Sequence, residues 1–260
     1  MTSCPCFIED IYLKSYQKLG VHHGFFMRKG GVSSGYYESL NIGFSTKDDP
    51  KKILENRARV AKQINLNPEQ LIFLNQIHSG NVALINKKNY QDSFQADSLV
   101  TKEKNLALCV MTADCGPILF YDYENAIIGA AHAGWRGALA NIIENTIKAM
   151  ETLGGNRKSI YAVLGPTIGP DTYEVTESFR ETFLTENHDY KLFFKKTIKE
   201  KHYLFDLWQF ILYKMRQANI KGSCLRICTY THTNYFYSFR QKTHLNLPDC
   251  GRQLSFIVLR

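Results

Sequence analysis

The sequence predicts a single α/β domain over residues 1–260, and two observations carry that reading. Short apolar runs bounded by turn residues read as buried strands. Between them stand segments with apolar residues at helical spacing. The length of 260 residues, with 44% hydrophobic and 22% charged, supports one large core without covalent staples. No repeat, low-complexity tract or linker divides the chain.

His22 to Met27 reads as the first strand, running into Arg28-Lys29-Gly30-Gly31-Val32-Ser33-Ser34-Gly35, a glycine loop with a cation at its mouth. Such a loop can bring backbone N–H groups and Arg28 to a phosphate, although no Walker pattern is present. Asp49-Pro50 supplies an N-cap and a proline at the first helical position. Ile53, Leu54, Val60, Ala61 and Ile64 make the helix that follows amphipathic. Leu71 to Leu74, Val82 to Ile85 and Ala96 to Thr101 read as strands, with His78 in the break between the first two and Asp97 at the start of the third.

Leu106 to Met111, Ile118 to Tyr121 and Ala126 to Ala131 are three further strands. Cys115 and His132 then stand just past strand ends, where open α/β sheets place ligands. A helix predicted from Ala138 to Thr152 turns its N-terminus and Arg136 toward the same region, which suits an anion, and Gly154-Gly155 ends it. Tyr161 to Leu164 is a strand leading into the loop Gly165 to Pro170. Helices are expected near Thr176 to Leu184 and Leu207 to Asn219. Leu225 to Cys228, Tyr235 to Phe239 and Leu254 to Leu259 read as closing strands.

Composition narrows the partners. Lys and Arg number 32 against 24 Asp and Glu, a formal net charge of +8, which permits an anionic substrate such as phosphate or a nucleotide. The densest basic run, Lys195, Lys196, Lys199 and Lys201, lacks interleaved aromatics and reads as a solvated face, so no nucleic-acid partner is expected. No apolar run approaches the ~20 residues that cross a bilayer, and Glu9 and Asp10 interrupt the first segment where a signal peptide needs an apolar stretch. A cytoplasmic location follows, and the seven irregularly spaced cysteines are expected to stay reduced.

His78, Cys115 and His132 make a possible three-ligand zinc site, since imidazole and thiolate both suit zinc and three protein ligands leave a fourth position open. Asp97 or Asp114 could then shuttle a proton. Other readings stay open: Cys115 as a nucleophile activated by a histidine, a copper site with Met111 as a distant axial ligand, or cysteine and histidine that only pack. Copper is the weaker choice of metal, because an oxygen-reducing copper cluster needs many more histidines than the eight present.

Asn75-Gln76-Ile77-His78, Ala96-Asp97-Ser98, Thr112 to Pro117, Ala131 to Gly137 and Gly165 to Ile168 resemble the successive motifs of the YfiH-type laccase-domain family. The resemblance extends to His23-Gly24-Phe25 and Gly30 to Ser33, and to Ser238-Phe239-Arg240 with Gly251-Arg252, so it spans nearly the whole chain. It implies mixed sheets flanked by helices, and His78, Cys115 and His132 as zinc and active-site residues. It also implies purine nucleoside phosphorolysis, with adenosine deamination and methylthioadenosine cleavage alongside. Members also carry the names polyphenol oxidase and peptidoglycan editing factor, so a copper oxidase and a non-catalytic cell-wall-associated factor are the alternatives. Phosphorolysis needs inorganic phosphate, and Arg28 and Arg136 are its candidate ligands. Gln241 stands where the family usually has a second arginine after Arg240, and the segment to Cys250 is long.

Overall fold

The computed structural model describes residues 4–260. The chain runs through β1 (Phe7–Ile8), α1 (Ile11–Ser15), β2 (Val21–Phe26), α2 (Pro50–Gln63), β3 (Leu71–Ile72), β4 (Val82–Leu84) and β5 (Ser98–Thr101). It continues through β6 (Ala107–Thr112), β7 (Gly116–Asp122), β8 (Ile127–Ala133), α3 (Trp135–Leu139), α4 (Ile142–Thr152) and β9 (Ile160–Leu164). It closes with β10 (Glu174–Thr176), α5 (Glu177–Glu186), β11 (Phe194–Lys196), β12 (His202–Phe205), α6 (Leu207–Gln217), β13 (Lys221–Cys224), α7 (Phe239–His244) and β14 (Gln253–Leu259). This is the α/β class that the sequence predicts, with the mixed sheets and flanking helices that the family resemblance implies.

A five-stranded sheet has the order β1-β2-β14-β6-β3 and a six-stranded sheet the order β13-β9-β7-β8-β5-β4; β10-β12-β11 form a small antiparallel sheet. Both large sheets are mixed, since β3 pairs parallel with β6, β4 with β5, and β13 with β9. Side-chain alternation explains the layering. Leu108 and Val110 of β6 share one core with Leu119 and Tyr121 of β7, between the two sheets. Cys109 of β6 faces the opposite way, packing with Val60 and Ala61 of α2. Ile118 and Phe120 of β7 face α4 and α6 through Ile143, Ile147, Phe210 and Ile211. Because both faces of these strands are buried, they read in sequence as continuous apolar runs.

Several boundaries differ from the sequence reading, for identifiable reasons. The helix predicted over 138–152 is two helices, α3 and α4, broken where Asn141 adopts a left-handed φ of 61°. Leu54, predicted to face the core from α2, is 59% exposed. The strand predicted at Leu225 to Cys228 lies one segment earlier as β13, and the left-handed Arg226 (φ 54°) stops it. Tyr235 to Phe239 is not a strand. The Tyr237 amide donates to the Gln253 side chain, and Ser238 caps α7 by accepting from the Gln241 amide; β14 already has β2 and β6 on its two edges. Among the described residues no helix is long and apolar enough to cross a membrane.

His23, fully buried on β2, accepts the Asp10 backbone N–H on its Nε2 at 2.8 Å. Burial depresses its pKa from 6.5 to about 4, against smaller opposing effects of Glu9 and Asp10. The unfolded chain therefore binds this proton at a pH where the folded chain does not, and stability rises with pH. The contribution is complete above pH 6.5 and is lost as pH falls toward 4, to a maximum of about 3 kcal/mol. Urea melts between pH 7 and 4.5 should show a flatter pH dependence in His23→Gln, whose amide oxygen can still accept from Asp10; an identical slope would overturn the assignment.

Candidate metal centre

The antiparallel pairing of β7 with β8 sets Gly116 opposite Ala133 and Pro117 opposite His132. Cys115, the residue just before β7, is thereby brought beside His132, which lies within β8 and not beyond its end. The chain passes the thiol so closely at Gly134 that a Cβ there would stand 2.8 Å from Cys115 Sγ. His78 arrives from the loop between β3 and β4 with a left-handed φ of 59°. The ligand atoms of His78, Cys115 and His132 all lie within 4.8 Å of one another, with His78 exposed, Cys115 half-buried and His132 buried.

Asp97, wholly buried, organises this group. Its carboxylate is 2.8 Å from His132 Nδ1 and accepts the backbone N–H groups of Ile77, His78 and Ser79 as well as the Ser79 hydroxyl. Its carbonyl accepts the His132 amide at 2.7 Å. One side chain thus holds the His78 loop and leaves His132 Nε2 to face Cys115, the carboxylate–histidine arrangement typical of metal ligands. Burial alone would raise the Asp97 pKa, but hydrogen bonds from His132 and Ser79 outweigh it and bring it to about 2.

Cys115 and His132 are coupled. Burial pushes the thiol up, yet the charge and hydrogen bonds of His132, with those of His78, leave it at about 6. Burial opposes the His132 cation in turn, while Cys115 and Asp97 raise it to about 9. The donor set of two imidazoles and one thiolate, at this spacing and with one histidine oriented by a carboxylate, fits a metal ion with one position open. Gly134→Ala should lower metal affinity by roughly tenfold or more, as changes beside a ligand do, because the new methyl displaces Cys115 Sγ. Competitive chelator titration checks this; unchanged affinity would mean that the sulfur is not a ligand.

The His78, Cys115 and His132 group opens into a cleft of about 910 Å³, within the range of ~300–1,000 Å³ usual for small-molecule sites. Arg136 lines it, exposed, its guanidinium stacked 4.4 Å from the Trp135 ring. Asp114 also borders it, but its carboxylate accepts from Thr229, Ser238 and the Arg240 amide. Burial raises its pKa against those bonds. Neither Asp97 nor Asp114 is thus a free carboxylate facing a substrate. Arg28 is not brought to the cleft: it donates to the Glu38 and Thr233 carbonyls and stacks over Tyr237.

Sequence reading missed Gln76, Arg57, Tyr173 and the cleft positions of Arg240 and Arg252. Gln76 pairs its amide with both backbone groups of Met111 at 2.8 and 2.9 Å, joining the His78 loop to β6. The amide's place beside His78 was visible in the sequence. Arg57 was not marked by any local signal, since it rises from an amphipathic helix to lie between the Phe44 and Phe73 rings.

Residues 22–260 match the family described as multi-copper polyphenol oxidoreductase laccase. A Bacteroides thetaiotaomicron protein named purine nucleoside phosphorylase is 32% identical over 262 residues, covering 95% of this chain and 94% of the relative. The Escherichia coli protein named purine nucleoside phosphorylase YfiH is 36% identical over 235 residues, covering 89% and 91%. Among solved structures, a Bacillus licheniformis protein named YfiH superposes with a TM-score of 0.85 at 27% identity, covering 95% of both chains. A Neisseria meningitidis protein gives 0.84 at 30% identity over 99% of both.

Proposed function

The chain belongs to the multi-copper polyphenol oxidoreductase laccase family, and from that membership and the chemistry of the cleft we propose that it is a purine nucleoside phosphorylase. The observation that carries the reading is the joining of a His-Cys-His group to guanidiniums without carboxylate partners. The arginine ion pairs among the described residues involve Arg59, Arg157 and Arg180, whereas Arg57, Arg136, Arg240 and Arg252 line the cleft outside any such pair. Such cations suit an incoming phosphate. The relatives named purine nucleoside phosphorylase support the same substrates, purine nucleosides and inorganic phosphate.

In the reaction, an oxygen of hydrogenphosphate bonds to the anomeric carbon as the bond from that carbon to the purine nitrogen breaks. The bonding pair leaves with the purine, which takes up the proton given up by the phosphate, and ribose 1-phosphate remains. Arg136 and its neighbouring guanidiniums hold the anion where cationic character develops on the sugar, so positioning and charge complementarity supply the rate. Asp97 positions His78 and His132, and Asp114 positions the Arg240 segment; Arg28 receives no substrate role. Zinc, held by His78, Cys115 and His132, would supply Lewis acidity at an open position. Adenosine deamination and methylthioadenosine cleavage belong to the same proposal, as does a cytoplasmic setting.

Purified protein given inosine and phosphate should release hypoxanthine and ribose 1-phosphate in equal amounts. No turnover of inosine, adenosine, guanosine or methylthioadenosine would remove the reading in favour of a non-catalytic factor. Elemental analysis should find zinc at a stoichiometry of at most about one per chain; stoichiometric copper with an intense thiolate-to-copper absorption would favour the oxidase instead.

A further inference from the structure

The loop that follows β9 ends in Tyr173, whose ring is held by the aromatic layer beneath it, 6.0 Å from Phe179 and 5.7 Å from Phe205 between centroids. Its ring borders the cleft into which Cys115, His132, Arg136 and Arg240 also open. No hydrogen bond to its hydroxyl is formed among the described residues. Burial raises its pKa, with Cys115 adding to the effect and the Arg240 and Arg136 charges opposing it. The hydroxyl is therefore a neutral donor on a ring that packs against the Arg240 guanidinium and shares the cleft with Arg136.

Arg240 is fixed on three sides. Its amide donates to the Asp114 carboxylate at 2.6 Å, its Nη1 donates to the Glu174 carbonyl at 2.6 Å, and its guanidinium carbon lies 5.2 Å from the Tyr173 ring centroid. Asp114 directly precedes Cys115, so the place of this guanidinium is tied through one residue to the metal centre. Arg136 is supported from the same layer, since Trp135 beneath it packs 4.8 Å from Phe179. The nearby carboxylates are already engaged: Asp114 by its three donors and Glu174 by Lys199 at 3.6 Å.

We propose that the Tyr173 hydroxyl, Arg136 and Arg240 form the subsite for inorganic phosphate, with the phenol O–H donating to an oxygen of the anion that the two guanidiniums neutralise. This rests on the phosphorylase reading and adds to it the residues that hold the second substrate. The two guanidiniums neutralise the anion and hold it through their planar donor forks, and a neutral donor on a rigid ring adds a third fixed direction that sets which oxygen faces the sugar.

Tyr173→Phe keeps the ring packing and removes only the donor, so folding and metal content should match the parent. The KM for phosphate should rise roughly ten- to a hundredfold, as expected for a lost hydrogen bond to a charged group, while the KM for inosine stays within about twofold, as expected when only phosphate binding is affected. Calorimetric titration of the protein with inorganic phosphate alone should show binding that weakens in Tyr173→Phe and in Arg240→Gln. An unchanged phosphate KM in Tyr173→Phe, or equal losses for phosphate and inosine, would overturn the subsite while leaving phosphorolysis standing. If the parent turns over no nucleoside, the phosphorylase reading fails, and titration still decides the subsite: phosphate binding lost in both variants supports it, and no binding by the parent overturns it.

Discussion

Cys115→Ala should yield a folded protein that binds no metal and, on the proposed function, catalyses neither inosine phosphorolysis nor adenosine deamination. Changes next to a metal ligand already cost ~10–100-fold in affinity, and this substitution removes one of only three ligand atoms in the His78, Cys115 and His132 group. Alanine keeps the Cβ that Cys115 already has and adds no atom, so it fits the backbone before β7 without strain. Metal content by elemental analysis, inosine phosphorolysis and adenosine deamination would be measured on one preparation. Full zinc with full deaminase activity would sink the ligand assignment. Full zinc with no activity of either kind would instead favour Cys115 as a nucleophile.

Asp97→Ala should be among the most destabilising single changes in the chain. It strands the N–H groups of Ile77, His78 and Ser79 and removes the partner of His132 Nδ1. Breaking a buried, hydrogen-bonded charge pair costs roughly 3–5 kcal/mol, which corresponds to a fall in Tm of the order of 10 °C for a chain of this size. Asp97→Asn separates position from charge. It retains the volume and one acceptor oxygen, so thermal melts should place it between the parent and the alanine variant, while metal affinity falls by ~10–100-fold because His132 loses an anionic acceptor. An asparagine variant that binds zinc as tightly as the parent would show that the carboxylate does not orient the ligand.

The chain's own local chemistry determined more of this protein than its boundaries suggest. Apolar runs such as Leu106 to Met111 are visible because both faces of a central strand are buried, and Asp49-Pro50 begins α2 because capping satisfies N–H groups within a few residues. His78, Cys115 and His132 were legible as a chemical set for the same kind of reason: thiolate and imidazole beside glycines mark a place where a backbone must come close, as Gly134 does to Cys115 Sγ. Tertiary structure alone decided what surrounds that set. Asp97 looks in sequence like a turn carboxylate, and only the closure of the His78 loop over β5 and β8 brings its five donors together. Arg28 and Arg240 are equally cationic on paper; one is spent on the Glu38 and Thr233 carbonyls and the other is held at the cleft by Asp114 and Glu174. Residue type sets what a side chain can do within its own few neighbours, but which long side chain reaches a cleft depends on contacts 60 or more residues apart in the chain, as for Arg240 with Glu174 and Asp114, and those exist only once the sheets have packed.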